Sequence, residues 1–183
     1  MSLSQSWIQL LLKAQRRGKI LHWLFAIVGM TFFLGLMVLF FMGALTFDRI
    51  IGCYKAQPTL LSVLLALPLL AVGLVLALGS VLKFFSVKGS PVPISPPPKL
   101  VATGFYAYSR NPMMTGLFLL LFGAAVLLRS VSLGFIFTPA LIALGTWYLI
   151  AIEEPELEIR LGQDYIEYKK HVPRYGIPFR LSW

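Results

Sequence analysis

Glu153 and Glu154 stand side by side at the end of the apolar run Val131–Ile152. Carboxylates are costly at a membrane boundary if buried, and the C-terminal end of a helix is electrostatically the wrong end for them. The pair reads as a binding feature or, with Glu156 and Glu158, as the acidic first turn of a new helix where Pro155 breaks the span, and the two readings are compatible. A second polar concentration lies in Ser86–Gly116, where Gly104, Tyr106, Tyr108, Arg110 and Asn111 lead into Pro112. Proline suits the first turn of a helix, and a helix start presents unpaired N–H groups and a partial positive charge that can seat a carboxylate. These segments, Ser86–Gly116 and Glu153–Pro178, are where a polar reactant would be held.

Parts of the same segments also have plainer readings. The prolines at 91, 93, 96, 97 and 98 favour an extended, polyproline-like path that cannot span a membrane, and the run alone reads as a stiff linker. Cys53 is the only cysteine, so an intrachain disulfide and a cysteine-rich metal site are both excluded, and it reads as a loop residue. No metal is expected.

The elements that must position these residues are membrane helices. Of 183 residues 58% are hydrophobic and 13% charged, with a mean hydropathy of +0.81, far more apolar than a soluble domain. A span needs about 20 apolar residues, and four stretches approach or exceed that: Ile20–Phe47, Leu60–Leu82 with Pro68 inside it, the short Pro112–Leu128, and Val131–Ile152. Only Arg129 and Ser130 separate the last two, which predicts a tight helical hairpin. The expected fold is an all-α integral membrane bundle of about four spans with a C-terminal amphipathic helix. It forms a single membrane domain over 1–183: an interfacial N-terminus at 1–19, two spans at 20–85 and the motif-bearing region at 86–183.

The 16 Lys and Arg against 7 Asp and Glu raise the question of nucleic acid, which their distribution answers. With four spans only Arg49, Lys55 and Arg129 fall on one side, and the other thirteen basic residues fall with both termini on the side that the positive-inside rule makes cytoplasmic. The expected partners are anionic membrane lipids, with no nucleic acid. The apolar run near the N-terminus is too long for a signal peptide and lacks a small-residue cleavage site, and Ser6–Leu12 is expected as a short interfacial helix. From Pro155 a helical pattern sets Leu157, Leu161, Tyr165, Tyr168 and Val172 in one stripe, a helix that would lie along the membrane or roof the cytoplasmic ends of spans three and four.

The stretch Lys99–Pro178 resembles the superfamily of isoprenylcysteine carboxyl methyltransferases and phospholipid N-methyltransferases. Its pattern of Leu-Val, Gly-x-Tyr and Arg-His-Pro-x-Tyr-x-Gly is met by Leu100-Val101, Gly104-Phe105-Tyr106 and Arg110-Asn111-Pro112-Met113-Met114-Thr115-Gly116. Its paired glutamates, Phe-Gly-x-x-Tyr-x-x-Tyr and Val-Pro are met by Glu153-Glu154, the run from Leu161-Gly162 through Tyr165 to Tyr168, and Val172-Pro173. Asn111 replaces a histidine, Met114 a tyrosine, and Leu149 stands where the carboxyl methyltransferases have an arginine that engages the prenylcysteine carboxylate.

The resemblance implies a membrane methyltransferase that uses S-adenosyl-L-methionine. It puts Lys99, Leu100, Val101, Tyr106, Arg110, Asn111, Pro112, Met113, Met114 and Glu153 around the cofactor: Glu153 on its amino group or ribose hydroxyls, the start of span three on its carboxylate, Tyr106 on the adenine or the sulfonium. Glu154 is the candidate catalytic base for an acceptor that must first lose a proton. The implied acceptor is lipophilic or amphipathic, a lipid amine, small thiol or carboxylate, entering laterally from a membrane of bacterial inner-membrane type. With Leu149 at the arginine position, an amine or thiol is expected over a prenylcysteine. An NADPH-dependent membrane reductase of related architecture and a non-enzymatic scaffold are the rival readings.

Overall fold

A computed structural model of the chain describes residues 19–53, 57–87 and 99–176. The proline run at 91–98, the Ser6–Leu12 segment and Pro178 lie outside the described residues. The described residues are helical and contain no strand. In order they form α1 (Lys19–Ile50), α2 (Leu60–Ser86), a 3-10 turn (Gly104–Ala107), α3 (Pro112–Leu128), a π turn (Leu133–Phe137), α4 (Thr138–Tyr148), a second π turn (Leu149–Glu153), α5 (Glu154–Leu161) and α6 (Gln163–His171).

Two helices among the described residues are long and apolar enough to cross a membrane: Leu60–Ser86, and the continuous helix Leu133–Leu161 that includes both π turns. Pro112–Leu128 is a shorter apolar helix, with the bounds the sequence predicts. Large apolar side chains such as Leu60, Leu61, Leu82 and Trp147 point outward. Such a surface suits lipid and would be a liability in water.

The chain separates into two compact units. The second comprises Phe33–Gly79 and Met113–Leu144. In it α2 begins at a reciprocal cap: Thr59 N–H donates to Ser62 Oγ at 2.9 Å and Ser62 N–H to Thr59 Oγ1 at 3.2 Å, which satisfies two of the donors a helix start leaves open. Glycines then let α2 and α3 meet backbone to backbone. A Cβ on Gly116 would stand 2.7 Å from Gly73 O and from Ala77 N, and one on Gly123 would stand 2.8 Å from Leu70. Small residues are how membrane helices approach closely where no hydrophobic effect drives them together.

The predicted hairpin turn is present and is held from α1. Arg129 takes φ 54°, Ser130 Oγ accepts from Leu133 N–H at 3.1 Å, and the buried Asp48 accepts from the Ser130 hydroxyl and, at 2.8 Å, from Ser132 N–H. Beside it Phe40 and Phe47 stack edge-on against Phe137.

The first unit comprises the described parts of Met1–Phe32 and Gly145–Trp183 together with Ser80–Pro112. Two expectations change here. Pro155 does not end the span. Glu154 N–H bonds to Leu149 O in the wider π turn, and the helix runs on through Pro155, whose missing N–H and ring clash a regular α-helix would not tolerate. The amphipathic C-terminal helix is two short ones. Gly162, at φ 60° and ψ −135°, a conformation essentially confined to glycine, separates α5 from α6.

Candidate functional site

Arg110, the last residue but one before Pro112, and Glu154, the first residue of α5, meet inside the first unit. Arg110 Nη1 lies 2.9 Å from Glu154 Oε1, with both side chains more than nine-tenths buried. Two more cations arrive from the C-terminal segment: Arg174 Nε donates to the same Oε1 at 2.7 Å, and Lys169 Nζ stands 3.2 Å from Oε2 and 2.8 Å from Glu158. This carboxylate takes three charged donors on its two oxygens. The pairs raise the pKa of Lys169, first through Glu158, and that of Arg174, first through its hydrogen bond from Nε to Glu154. Nearby, Arg160 closes a separate pair with Glu156 at 2.9 Å.

Residues 172–176 form a strap that carries Arg174 there. Arg110 N–H donates to Pro173 O at 2.9 Å and Asn111 N–H to Arg174 O at 3.2 Å, while the Ser109 hydroxyl and the Asn111 amide reach the same Arg174 carbonyl. The two N–H groups just ahead of α3 are therefore taken by the chain's own carbonyls. Asn111, standing where the related pattern has histidine, is a strap contact. Further along, Tyr175 shares a 2.9 Å hydrogen bond with Thr146, and Gly176 passes so close to Tyr108 O that a Cβ would fall 2.0 Å from it.

Tyr106 is pinned rather than free. Its ring packs on Phe84 with centroids 5.1 Å apart, its hydroxyl bonds to Ser80, and its carbonyl accepts from the Tyr168 hydroxyl at 2.6 Å. Burial pushes the pKa of both phenols well above the ordinary range, so both remain neutral donors. Tyr165, 3% exposed, completes the wall beside Arg110.

Glu153 differs from its neighbour. It lies within electrostatic reach of Tyr106 and Tyr165, and no hydrogen bond or ion pair reaches its carboxylate from the described residues. Val101 is buried, Leu100 half-buried and Lys99 exposed. Leu100 lines an open groove of about 550 Å³ beside α6, together with Ala102, Ala107, Asp164, Glu167, Tyr168, His171 and Val172.

The first unit thus brings together Arg110, Asn111, Glu153, Glu154 and Tyr106, with Leu100 and Val101 on the adjoining strand of loop. Pro112 ends that unit, and Met113 and Met114 belong to the second. Lys169 was missed as a site residue, although it stands in the C-terminal polar segment singled out from sequence, and the sequence alone does not fix where Arg174 lies.

The sequence model of phospholipid methyltransferases matches residues 61–164, more than half of the chain. The chain belongs to the phospholipid methyltransferase family. Among curated proteins it is similar to the protein-S-isoprenylcysteine O-methyltransferases of Mus musculus and Rattus norvegicus, each 36% identical over 84 residues, and to that of Homo sapiens, 37% identical over 84 residues. These alignments cover 44% of this chain and 28% of each relative, so the chain matches less than a third of their length. No solved structure matches. The family match takes in Arg110, Glu153 and Glu154 but stops at residue 164, short of Lys169 and Arg174.

Proposed function

We propose that this phospholipid methyltransferase family member transfers a methyl group from S-adenosyl-L-methionine to a lipophilic or amphipathic acceptor in the membrane. The observation that carries the reading is the buried Arg110–Glu154 pair, which joins two polar motifs 44 residues apart and leaves Glu153 beside it with no hydrogen bond or ion pair from the described residues. A carboxylate so placed suits a ligand bearing an ammonium, a sulfonium or a pair of hydroxyls, and the cofactor has all three.

Glu153 would hold the cofactor's amino group or ribose hydroxyls. Leu100, between Lys99 and Val101, lines the groove beside α6, whose mixed apolar and acidic lining suits an adenosine. Tyr106 would form a wall beside Glu153. Asn111 and Arg110 hold the entry to α3, and Pro112, Met113 and Met114 would present its first turn to the cofactor's carboxylate. When bound, the cofactor supplies a methyl group activated by its sulfonium.

Glu154 takes a different role from the general base first considered. Arg110, Lys169 and Arg174 occupy its lone pairs, so it serves as the hub that fixes Arg110 and orients Glu153. Methyl transfer from a sulfonium disperses charge and needs alignment and exclusion of water more than acid or base help, and the buried hub with its neutral phenols supplies both. In the bilayer we propose four spans, α1, α2, α3 and the helix Leu133–Leu161, with both termini cytoplasmic as the positive-inside rule directs. Family membership favours this reading over the reductase and the scaffold.

S-adenosylhomocysteine should raise the melting temperature of the detergent-solubilised protein, since a ligand that binds only the folded state stabilises it by mass action. Glu153→Ala should remove that shift and leave the unliganded melting temperature close to wild type. A shift with NADPH and none with S-adenosylhomocysteine would overturn the proposal.

A further inference from the structure

Glu153 and Glu154 are neighbours of the same chemistry, yet one is tied to Arg110 and the other is not, and the helical turn before them decides which. A regular α-helix has about 3.6 residues per turn, so it would set Glu153, four residues on, over the buried Leu149. Glu154 would then point about 140° away, toward the side of Ile150, which is 50% exposed. The structure has the opposite arrangement. In the π turn Leu149–Glu153 one more residue is taken into the turn, Glu154 N–H reaches back to Leu149 O, and Glu154 is the buried carboxylate, 4% exposed and paired with Arg110.

The same construction occurs earlier in this helix, in the second unit. There the π turn Leu133–Phe137 ends with Thr138 N–H bonded to Leu133 O, and Leu133 and Thr138 are both wholly buried. In both places a proline follows as the second residue after the turn, Pro139 in one and Pro155 in the other. A proline in a regular helix presses its ring on the carbonyl four residues back and offers that carbonyl no N–H. A turn wider by one residue relieves both faults. Each proline therefore selects the π turn over the regular one.

We propose that Pro155 is a positioning residue of the candidate site: by excluding the regular helix it holds the π turn that gives Glu154 to Arg110 and leaves Glu153 for the cofactor. Only the role of Glu153 rests on the methyltransferase reading above. With alanine at 155 the new N–H can bond to Ala151 O, the turn closes to a regular one, and Glu153 moves onto the face that Glu154 held. The two carboxylates then exchange roles.

That exchange is the test, read as melting temperatures of the purified full chain in a neutral detergent. In the wild-type background Glu154→Gln should lower the melting temperature and Glu153→Gln should leave it nearly unchanged. In the Pro155→Ala background the order should reverse, with Glu153→Gln the costly change. Affinity for S-adenosylhomocysteine should fall about tenfold or more in Pro155→Ala, the loss expected for one charged hydrogen bond. Deleting Ala151 as well removes the extra residue, so a regular helix again sets Glu154 over Leu149. Pro155→Ala with Ala151 deleted should therefore recover the wild-type order and the ligand affinity. Pro139→Ala, which alters the other π turn, should keep the wild-type order. An unreversed order in Pro155→Ala, or no recovery on deleting Ala151, would sink the proposal. If Pro155→Ala does not fold, the deletion variant decides: folded with the wild-type order it supports the proposal, and unfolded it overturns it. A reversed order in a protein whose wild type does not bind S-adenosylhomocysteine would count against the methyltransferase reading and leave the positioning role standing.

Discussion

Arg110 and Glu154 close a loop of 44 residues with a 2.9 Å ion pair that is almost sealed from solvent. Removing one partner of a buried pair leaves the other charge uncompensated, at a cost of about 3–5 kcal/mol. Glu154→Ala strands Arg110 and Arg174, leaves Lys169 to Glu158 alone, and should lower the melting temperature sharply. Glu154→Gln keeps hydrogen-bond acceptance but not charge and should fall between Ala and wild type. Equal melting of Glu154→Ala and wild type in the same detergent would show that the hub does not hold the first unit together.

Gly116 closes the motif that begins at Arg110, and its place in the structure is a helix contact. A methyl group there meets Gly73 O and Ala77 N, both backbone atoms that cannot swing aside. Gly116→Ala should therefore destabilise by about 1–3 kcal/mol, the usual range for overpacking a tight contact. Gly35→Ala, at a position with nothing within 4 Å, is the control and should melt as wild type or slightly higher. Thermal melting of the two variants side by side checks the difference.

The apolar lengths made the helices legible: Pro112–Leu128 and the start of α2 at Leu60 were both readable from composition, because about 20 apolar residues with turn residues between them leave few alternatives. Glu153, Glu154 and Arg110 were legible because charge at a span's edge is conspicuous. Asp48 was not. Its partners Ser130 and Ser132 lie more than 80 residues away, and nothing local marks it as the anchor of the hairpin turn. The placement of Arg174 was hidden for the same reason, since it comes from a strap pairing with residues more than 60 positions earlier. The break at Gly162 was visible as a glycine, but the apolar stripe running through it argued for one helix, and backbone conformation outweighed side-chain periodicity.

Gly162 supplies a test of that break. Its φ of 60° with ψ of −135° is closed to residues with a Cβ, yet no atom within 4 Å would obstruct one. Any loss in Gly162→Ala is thus backbone strain alone, about 1–3 kcal/mol. Strain could also relax by fusing α5 and α6 into one helix, which would carry Lys169 away from Glu154. Gly162→Ala should accordingly lose more of the S-adenosylhomocysteine stabilisation than Gly52→Ala, a positive-φ glycine in the turn after α1, in the second unit.

The proposed topology makes its own prediction, and the chain's single cysteine makes it testable. Cys53 lies in the turn after α1, close to Gln57, an exposed residue ahead of the Thr59 cap, and the positive-inside arrangement puts both outside the cytoplasm. In a Cys53→Ser background, Gln57→Cys should react with a membrane-impermeant maleimide added to intact cells. Lys99→Cys, exposed in the segment that precedes Tyr106, should react only after the cells are opened. Four spans place these two positions on opposite sides, since only α2 lies between them. Labelling of Lys99→Cys from outside, with Gln57→Cys protected, would invert the orientation and move the Glu154 site to the wrong face for a cytoplasmic cofactor.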